Sequence, residues 1–272
     1  MAEWLSGDVI ANGIRVHYYR TGGTKPPLVL SHGATDDGLC WTRATRALEA
    51  DYDVIMPDAR GHGLSEAPEG GYNSEERAAD LAGLIRALHL ERPAVGGHSM
   101  GAGTSFYLAA LYPDLVRCAI LEDPGFRSDF NRPANAEIEA RATRMRTGTA
   151  ERKAMSREAL IALCREQNPT WSDEELGPWA DSKRRVSLSF GGALRSPDRT
   201  TWQELLPKIT CPVLLITADP EKGSIVTPDA AAEAVRLLPT LKVVRLRGAG
   251  HNIRREQFEG FLQAVRTFLA EA

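Results

Sequence analysis

A chain of 272 residues, 43% of them hydrophobic and 25% charged, has the ordinary composition of a soluble globular protein with one large α/β domain, or one core domain plus an insertion. The formal net charge of −3 gives no support for a nucleic-acid or acidic-membrane partner. No apolar run reaches the roughly 18 residues of a membrane span, and no signal peptide is visible. The four cysteines are widely spaced and suggest neither a metal site nor a redox pair, so we expect a cytoplasmic protein.

The first part of the chain alternates short apolar runs with a helical pattern. Residues 8–21 alternate apolar and polar side chains across an Asn-Gly pair, which predicts a β-hairpin. Apolar runs at 27–30 and 54–56 predict strands that are buried on both faces. A helix is predicted to begin at Asn73, where Glu76 completes a capping box. This alternation predicts a mostly parallel sheet covered by helices on both faces.

The pentapeptide Gly97-His98-Ser99-Met100-Gly101 lies between a predicted strand that begins near Val95 and a predicted helix at 102–112. Glycine has no Cβ, so Gly97 and Gly101 allow Ser99 to hold an unfavourable backbone angle at a sharp turn. The turn presents the hydroxyl to a substrate, and the helix that follows points free N–H groups at the same place. Ser99 is therefore the predicted nucleophile.

A stretch of roughly eighty residues after the predicted strand at 118–121 contains helical patterns but no convincing strand. We predict a helical insertion at 126–206 within a core domain formed by 1–125 and 207–272. The charge run Lys183-Arg184-Arg185 is expected to be a solvated helix face. Most of the large aromatic residues of the insertion are expected to pack it against the core, and one or two to face a pocket. These residues are Trp171, Trp179, Phe190 and Trp202.

The last part of the chain supplies a candidate general base. Apolar runs predict three more strands, at 118–121, 213–216 and 243–246. His251 lies just past the last of these, in a loop at the end of the parallel sheet where ligands are bound. A serine hydroxyl needs a neighbouring base to act as a nucleophile, and His251 is predicted to be that base.

Three carboxylates are candidates for the acid that orients His251. Asp219 follows the strand at 213–216 and is the preferred candidate. Glu221 is two residues further on, and Asp123 follows the strand at 118–121. All three are expected at the same end of the sheet, so both alternatives stay open.

Acyl transfer also needs hydrogen-bond donors aimed at the oxyanion, and removing one typically costs about 10²–10³ in rate. The backbone N–H of Met100, directly after the nucleophile, is the first predicted donor. The second is the N–H of Ala34, in the loop His32-Gly33-Ala34 after the strand at 27–30.

These motifs together resemble the α/β-hydrolase fold family. The resemblance rests on four segments that occur in the family's order and span nearly the whole chain, namely His32-Gly33, Asp58-Ala59-Arg60-Gly61-His62-Gly63-Leu64-Ser65, the pentapeptide around Ser99, and Gly250-His251. It implies an α/β fold with a sheet of about eight strands, Ser99 at the nucleophile elbow, and a helical cap inserted at 126–206. The acid loop at 218–228 is longer than the family pattern and its aspartate comes early, and some lactone-opening relatives take their acid from the position of Asp123.

The resemblance implies a serine hydrolase that acts through an acyl-enzyme. We predict carboxylic esters or lactones of small to medium apolar size as substrates, as in carboxylesterases and lactonases, with no cofactor and no metal ion. Hydrolysis of a carbon–carbon bond or of an amide on the same triad is the alternative. A ligand-binding receptor with little turnover is a further alternative. Fold alone does not decide among these substrates.

Overall fold

The computed structural model describes residues 4–126, 135–195, 198 and 200–272. Within these residues eight strands form one sheet in the order β1-β2-β4-β3-β5-β6-β7-β8. The pairs β1–β2 and β2–β4 are antiparallel, and all other neighbours are parallel. The sheet confirms the predicted mostly parallel α/β architecture. The strands are β1 Leu5–Ala11, β2 Ile14–Arg20, β3 Pro27–Ser31, β4 Asp53–Pro57, β5 Ala94–His98, β6 Cys118–Glu122, β7 Val213–Thr217 and β8 Lys242–Arg245.

The antiparallel hairpin β1–β2 turns at Asn12 and Gly13, which have φ angles of +50° and +79°. Two successive positive φ angles define the tight turn that matches the twist of paired strands, and asparagine followed by glycine is the pair that adopts it most readily. The register then pairs Ala11 with Ile14, as predicted from the alternation.

Helices cover both faces of the sheet. The first face carries α2, α3 and α8, and the second carries α1, α9 and α10, each with its own buried apolar cluster. None of the helices among the described residues is long and apolar enough to cross a membrane. The α-helices are α1 Thr42–Leu48, α2 Ser74–Ala87, α3 Met100–Leu111, α4 Asn135–Ala154, α5 Arg157–Gln167, α6 Asp173–Arg185, α7 Trp202–Leu205, α8 Pro228–Leu237, α9 Ile253–Glu256 and α10 Phe258–Glu271.

Local signals explain where α2 and the central strands lie. The side chain of Asn73 accepts a hydrogen bond of 2.9 Å from the N–H of Glu76, which satisfies one of the free donors at the start of the helix. Strands β4 to β7 are buried along their whole length, as expected for strands covered on both faces.

Helices α4 to α7 lie between β6 and β7, within the segment that is predicted to form the cap. Its four large aromatic residues are all buried, and three of them contact the core. The Phe190 ring lies 4.3 Å from the ring of His62, and Trp202 lies in the same buried apolar cluster as residues of α2 and α3. The guanidinium of Arg255 lies over the ring of Trp171 at 4.5 Å. These contacts attach the cap to the core.

The prediction of a solvated face at 183–185 is wrong for two of its three residues. Lys183 is only 3% exposed, and its ammonium lies 2.7 Å from a carboxylate oxygen of Asp36. Arg185 forms an ion pair of 2.6 Å with Asp37. Only Arg184 is exposed. Asp36 and Asp37, in the loop after β3, form these two ion pairs. The pairs explain why the side chains of Lys183 and Arg185 point toward the core.

Candidate active site

Ser99 occupies the sharp bend between β5 and α3. Its backbone has φ +53° and ψ −113°, a conformation that a residue with a side chain adopts only where the surrounding structure enforces it. The N–H of Ser99 is held by the carbonyl of Glu122 at 2.9 Å. The structure therefore has the strained strand-to-helix turn that the pentapeptide predicts.

Two glycines make this bend possible because other backbone occupies the space of a side chain. A Cβ built on Gly97 would lie 2.3 Å from the carbonyl carbon of Gly101, and one on Gly101 would lie 2.1 Å from the carbonyl oxygen of Ser31. The start of α3 is thus packed directly against the end of β3.

We expect Gly101→Ala to lower the free energy of unfolding by more than about 3 kcal/mol, because the methyl group must displace backbone. The matched control is Gly103→Ala, half a turn further along α3. A Cβ there meets nothing closer than 3.9 Å, and alanine favours a helix over glycine by about 0.5–1 kcal/mol. Chemical denaturation of both variants measures the difference. Equal stabilities would contradict the packing described here.

His251 is paired with Asp123. Its Nδ1 lies 2.6 Å from Oδ2 of Asp123, whose side chain is fully buried. The carboxylate also accepts hydrogen bonds from the hydroxyl of Ser224 and from the N–H groups of Ile225 and Val226, at 2.8, 2.8 and 3.0 Å. Asp123 itself has a positive φ of +44°. A buried carboxylate that accepts several other hydrogen bonds is thus fixed on one ring nitrogen of the histidine.

The prediction that Asp219 orients His251 is wrong. Asp219 accepts hydrogen bonds from Arg245 at 2.8 Å and from the N–H of Gly248 at 2.7 Å, and these bonds lower its pKa. The physical reason is that the loop at 220–226 folds back over β6 and gives its donors to Asp123. Glu221, the other alternative, is exposed. The carboxylate on His251 is the second predicted candidate, Asp123.

His98 connects the loop that contains His251 to the bend at Ser99 through a hydrogen bond. Its Nε2 donates a hydrogen bond of 2.8 Å to the carbonyl oxygen of His251, and the two rings lie 4.6 Å apart. The register pairs His98 with Glu122, so Ser99 and Asp123 follow adjacent ends of β5 and β6. Ser99, Asp123 and the loop that carries His251 therefore lie at the same edge of the sheet, where β5 and β6 end.

The two predicted oxyanion donors lie next to this edge. Met100 is the first residue of α3, so its N–H has no acceptor within the helix. Ala34 lies in the turn after β3. A Cβ on the preceding Gly33 would lie 2.6 Å from Nδ1 of His98, so the loop passes close to the elbow. Their role as donors stays a prediction.

Three buried histidines around the site are held neutral. His32 accepts the N–H of Ala59 at 2.9 Å through Nε2, and Nδ1 donates to the carbonyl of Gly33. His62 and His98 are likewise buried. Burial, the largest cause in each case, lowers the pKa of His32 and holds the pKa values of His62 and His98 well below the ordinary 6.5.

These lowered pKa values predict acid sensitivity. Below pH 6.5 the unfolded chain takes up protons that the folded chain cannot, so the stability present above this pH is lost as the pH falls. We expect urea unfolding to show a loss of roughly 1 kcal/mol per histidine for each pH unit below 6.5. His62→Gln should reduce this slope, whereas His89→Gln, at an exposed position, should not. An unchanged slope in His62→Gln would contradict the assignment.

Ionised side chains surround the site on two sides. Glu122, directly before Asp123, accepts the N–H of Arg254 at 2.8 Å and lies 3.3 Å from its guanidinium. Asp36, two residues after Ala34, lies 3.0 Å from Arg255. Sequence reasoning missed Asp36, because its three cationic partners lie 147 or more residues further along the chain. Among the described residues no cluster of three or more His, Cys, Asp or Glu is arranged to hold a metal ion.

A family model for the alpha/beta hydrolase fold matches residues 26–254. N-formylmaleamate deformylase of Pseudomonas putida is 31% identical over 265 residues, covering 97% of this chain and 96% of that protein. The crystal structure of E-2-(acetamidomethylene)succinate hydrolase has a TM-score of 0.81 at 27% identity, covering 98% of this chain and 100% of that one. That of the enol-lactonase from Burkholderia xenovorans has a TM-score of 0.77 at 25% identity, covering 97% and 100%.

Proposed function

The chain belongs to the α/β hydrolase family, and on that premise we propose that Ser99, His251 and Asp123 form the catalytic triad of a serine hydrolase. The observation that carries the proposal is the 2.6 Å contact between His251 Nδ1 and the buried carboxylate of Asp123. It fixes the tautomer in which Nδ1 donates and Nε2 is left with its lone pair. The strained backbone of Ser99, at the adjacent strand end, supports its assignment as the nucleophile.

The proposed reaction has two halves. His251 Nε2 takes the hydroxyl proton as Ser99 Oγ attacks the acyl carbon, and the N–H groups of Ala34 and Met100 stabilise the oxyanion. The imidazolium then gives its proton to the leaving atom, which departs. In the second half His251 deprotonates a water molecule that attacks the acyl-enzyme, and the same donors stabilise the oxyanion. The bond between Ser99 Oγ and the acyl carbon then breaks, His251 returns the proton to Oγ, and the carboxylic acid leaves. Asp123 accepts the hydrogen bond from His251 Nδ1 throughout and stabilises the imidazolium.

The names of the relatives favour a particular kind of acyl substrate. Two of them denote N-acyl amides of unsaturated carboxylic acids, and the third denotes an enol-lactone. In all three the leaving nitrogen or oxygen is attached to a carbon conjugated with an unsaturated group, which makes it a better leaving atom than an alkyl amine or alkoxide. We therefore propose that this chain cleaves a small acyl group from such a conjugated nitrogen or oxygen. Simple esters and saturated lactones, as predicted from the sequence, are the second candidate.

A matched panel of substrates tests this proposal. It comprises an N-formyl amide of an unsaturated carboxamide, a saturated counterpart in which the leaving nitrogen is that of an alkyl amine, an enol-lactone and a short p-nitrophenyl ester. We expect kcat/KM to be higher for the unsaturated amide than for its saturated counterpart by at least about 100-fold, because the leaving atom carries charge in the transition state. Equal rates for the two amides, or turnover of the p-nitrophenyl ester alone, would favour the second candidate.

We propose that the cap extends over 126–206 and closes over the site, with 1–125 and 207–272 as the core domain. The proposed partner is a small acyl molecule, and no cofactor enters any step above. Localisation in the cytoplasm stays a prediction from the sequence.

A further inference from the structure

We propose that Lys183, on the cap helix α6, is a positioning residue that holds the oxyanion loop, defined here as residues 32–37, in its catalytic shape. The inference rests on the proposed function, because Ala34 of this loop is one of the two proposed oxyanion donors. It also makes the rate of the chemical step depend on a docked cap.

The contacts of Lys183 carry the first step of the argument. Its ammonium donates to the carbonyl oxygen of Thr35 at 2.9 Å and to the carboxylate of Asp36 at 2.7 Å. It also lies 4.9 Å from the ring of Trp179, a second cap residue. The side chains of both Lys183 and Asp36 are buried. The ammonium of Lys183 thus binds two successive residues of the oxyanion loop, Thr35 and Asp36, which directly follow Ala34.

The backbone conformation of Thr35 shows why these hydrogen bonds from Lys183 are needed. Thr35 has a φ of +62°, which is unfavourable for a β-branched residue and persists only where neighbouring groups enforce it. Its N–H is held by Nε2 of His62 at 3.3 Å, and its carbonyl by Lys183. Without the ammonium the carbonyl loses its partner. Relaxation of Thr35 toward a favourable φ would then rotate the peptide that joins it to Ala34, and this rotation would shift Ala34, whose own N–H is the proposed donor.

Asp36 extends the link to the helix that follows the catalytic histidine. Its other oxygen lies 3.0 Å from Arg255 in α9, and Arg255 in turn lies 3.1 Å from Glu175 of the cap. Burial alone would raise the pKa of Asp36, but Arg255, Lys183 and Arg254 hold it well below its ordinary value, so the carboxylate stays charged. The buried charges therefore join the donor loop, the helix after His251 and the cap in one ion-paired unit.

The test compares Lys183→Met with Arg184→Met. Both remove one cation from the same helix and keep an apolar stem, but Arg184 is exposed. In Lys183→Met we expect kcat to fall by about 10- to 100-fold while KM changes by less than about threefold, because a misplaced donor weakens binding of the transition state only. Affinity for a trifluoromethyl ketone, which forms an oxyanion on Ser99, should fall by the same factor as kcat/KM. Arg184→Met should match the unsubstituted enzyme, and Lys183→Arg should recover part of the loss.

A second variant serves as the control for misfolding. If Lys183→Met does not fold, the double variant Asp36→Asn, Lys183→Met leaves no unpaired charge between these two positions and is measured instead. The apparent pKa values of the kcat/KM profile should stay unchanged, since His251 keeps Asp123. An unchanged kcat with a raised KM, or a trifluoromethyl ketone affinity that does not fall, would overturn the inference. Failure of the proposed function is distinguishable, because Ser99→Ala would then hydrolyse the substrate as fast as the unsubstituted enzyme.

Discussion

Replacing Ser99 by alanine is expected to lower kcat by about 10⁴- to 10⁶-fold, because the covalent route through the acyl-enzyme is lost. The oxyanion donors and the substrate pocket are unchanged, so a residual rate above that of water alone should persist. Steady-state kinetics with whichever acyl substrate gives the highest kcat/KM checks the result.

The matched control for this variant is Ser105→Ala, in the same helix. Ser105 Oγ is buried and has no hydrogen-bond partner among the described residues, so its removal should leave kcat within about threefold of the original. Circular dichroism and thermal melting should show both variants folded. Hydrolysis that survives in Ser99→Ala would contradict the nucleophile assignment.

Replacing Asp123 by asparagine is expected to lower kcat by about 10⁴-fold. The asparagine amide can donate to His251 Nδ1 instead of accepting from it, which moves the ring proton to Nε2. That nitrogen then has no lone pair to accept the proton of Ser99. The same substitution would also weaken the hydrogen bonds from Ser224, Ile225 and Val226, because a neutral acceptor is poorer than a carboxylate.

Asp219→Asn and Glu221→Gln are the controls for the acid. Asp219 pairs with Arg245, whose side chain is 40% exposed, so we expect a loss in kcat of less than about tenfold. Glu221 is exposed and its substitution should have no effect. If Asp219→Asn lost as much activity as Asp123→Asn, the pairing of His251 with Asp123 would not describe the active enzyme.

The features that the sequence predicts correctly depend on residues close together in the chain. The Asn12-Gly13 turn and the glycines around Ser99 are each set by local backbone conformation, which a few neighbouring residues decide. The alternation of strands and helices likewise follows from local apolar patterns. These features were sufficient to predict the sheet and the elbow.

The acid could not be decided in the same way. Asp123 and Asp219 follow adjacent parallel strands, so distance along the chain does not determine which of them meets His251. The choice depends on the loop at 220–226, which gives its N–H groups to Asp123 while Arg245 and Gly248 occupy Asp219. The pattern available in the sequence was an aspartate directly after a buried strand and directly before Pro124.

The other prediction that failed is that of a solvated helix face at 183–185. A run of three basic residues usually marks a solvated surface, and nothing near Lys183 in the chain indicates otherwise. Its partner Asp36 is 147 residues away. Only the three-dimensional structure shows that two carboxylates lie where the cap meets the core.

Covalent labelling with a fluorophosphonate measures whether Ser99 is an activated nucleophile. We expect a single adduct on the intact protein, located on Ser99 by peptide mass spectrometry. Labelling should slow markedly in Asp123→Asn and very little in Asp219→Asn. An active enzyme that takes up no label, or that carries it on another residue, would contradict the assignment of Ser99.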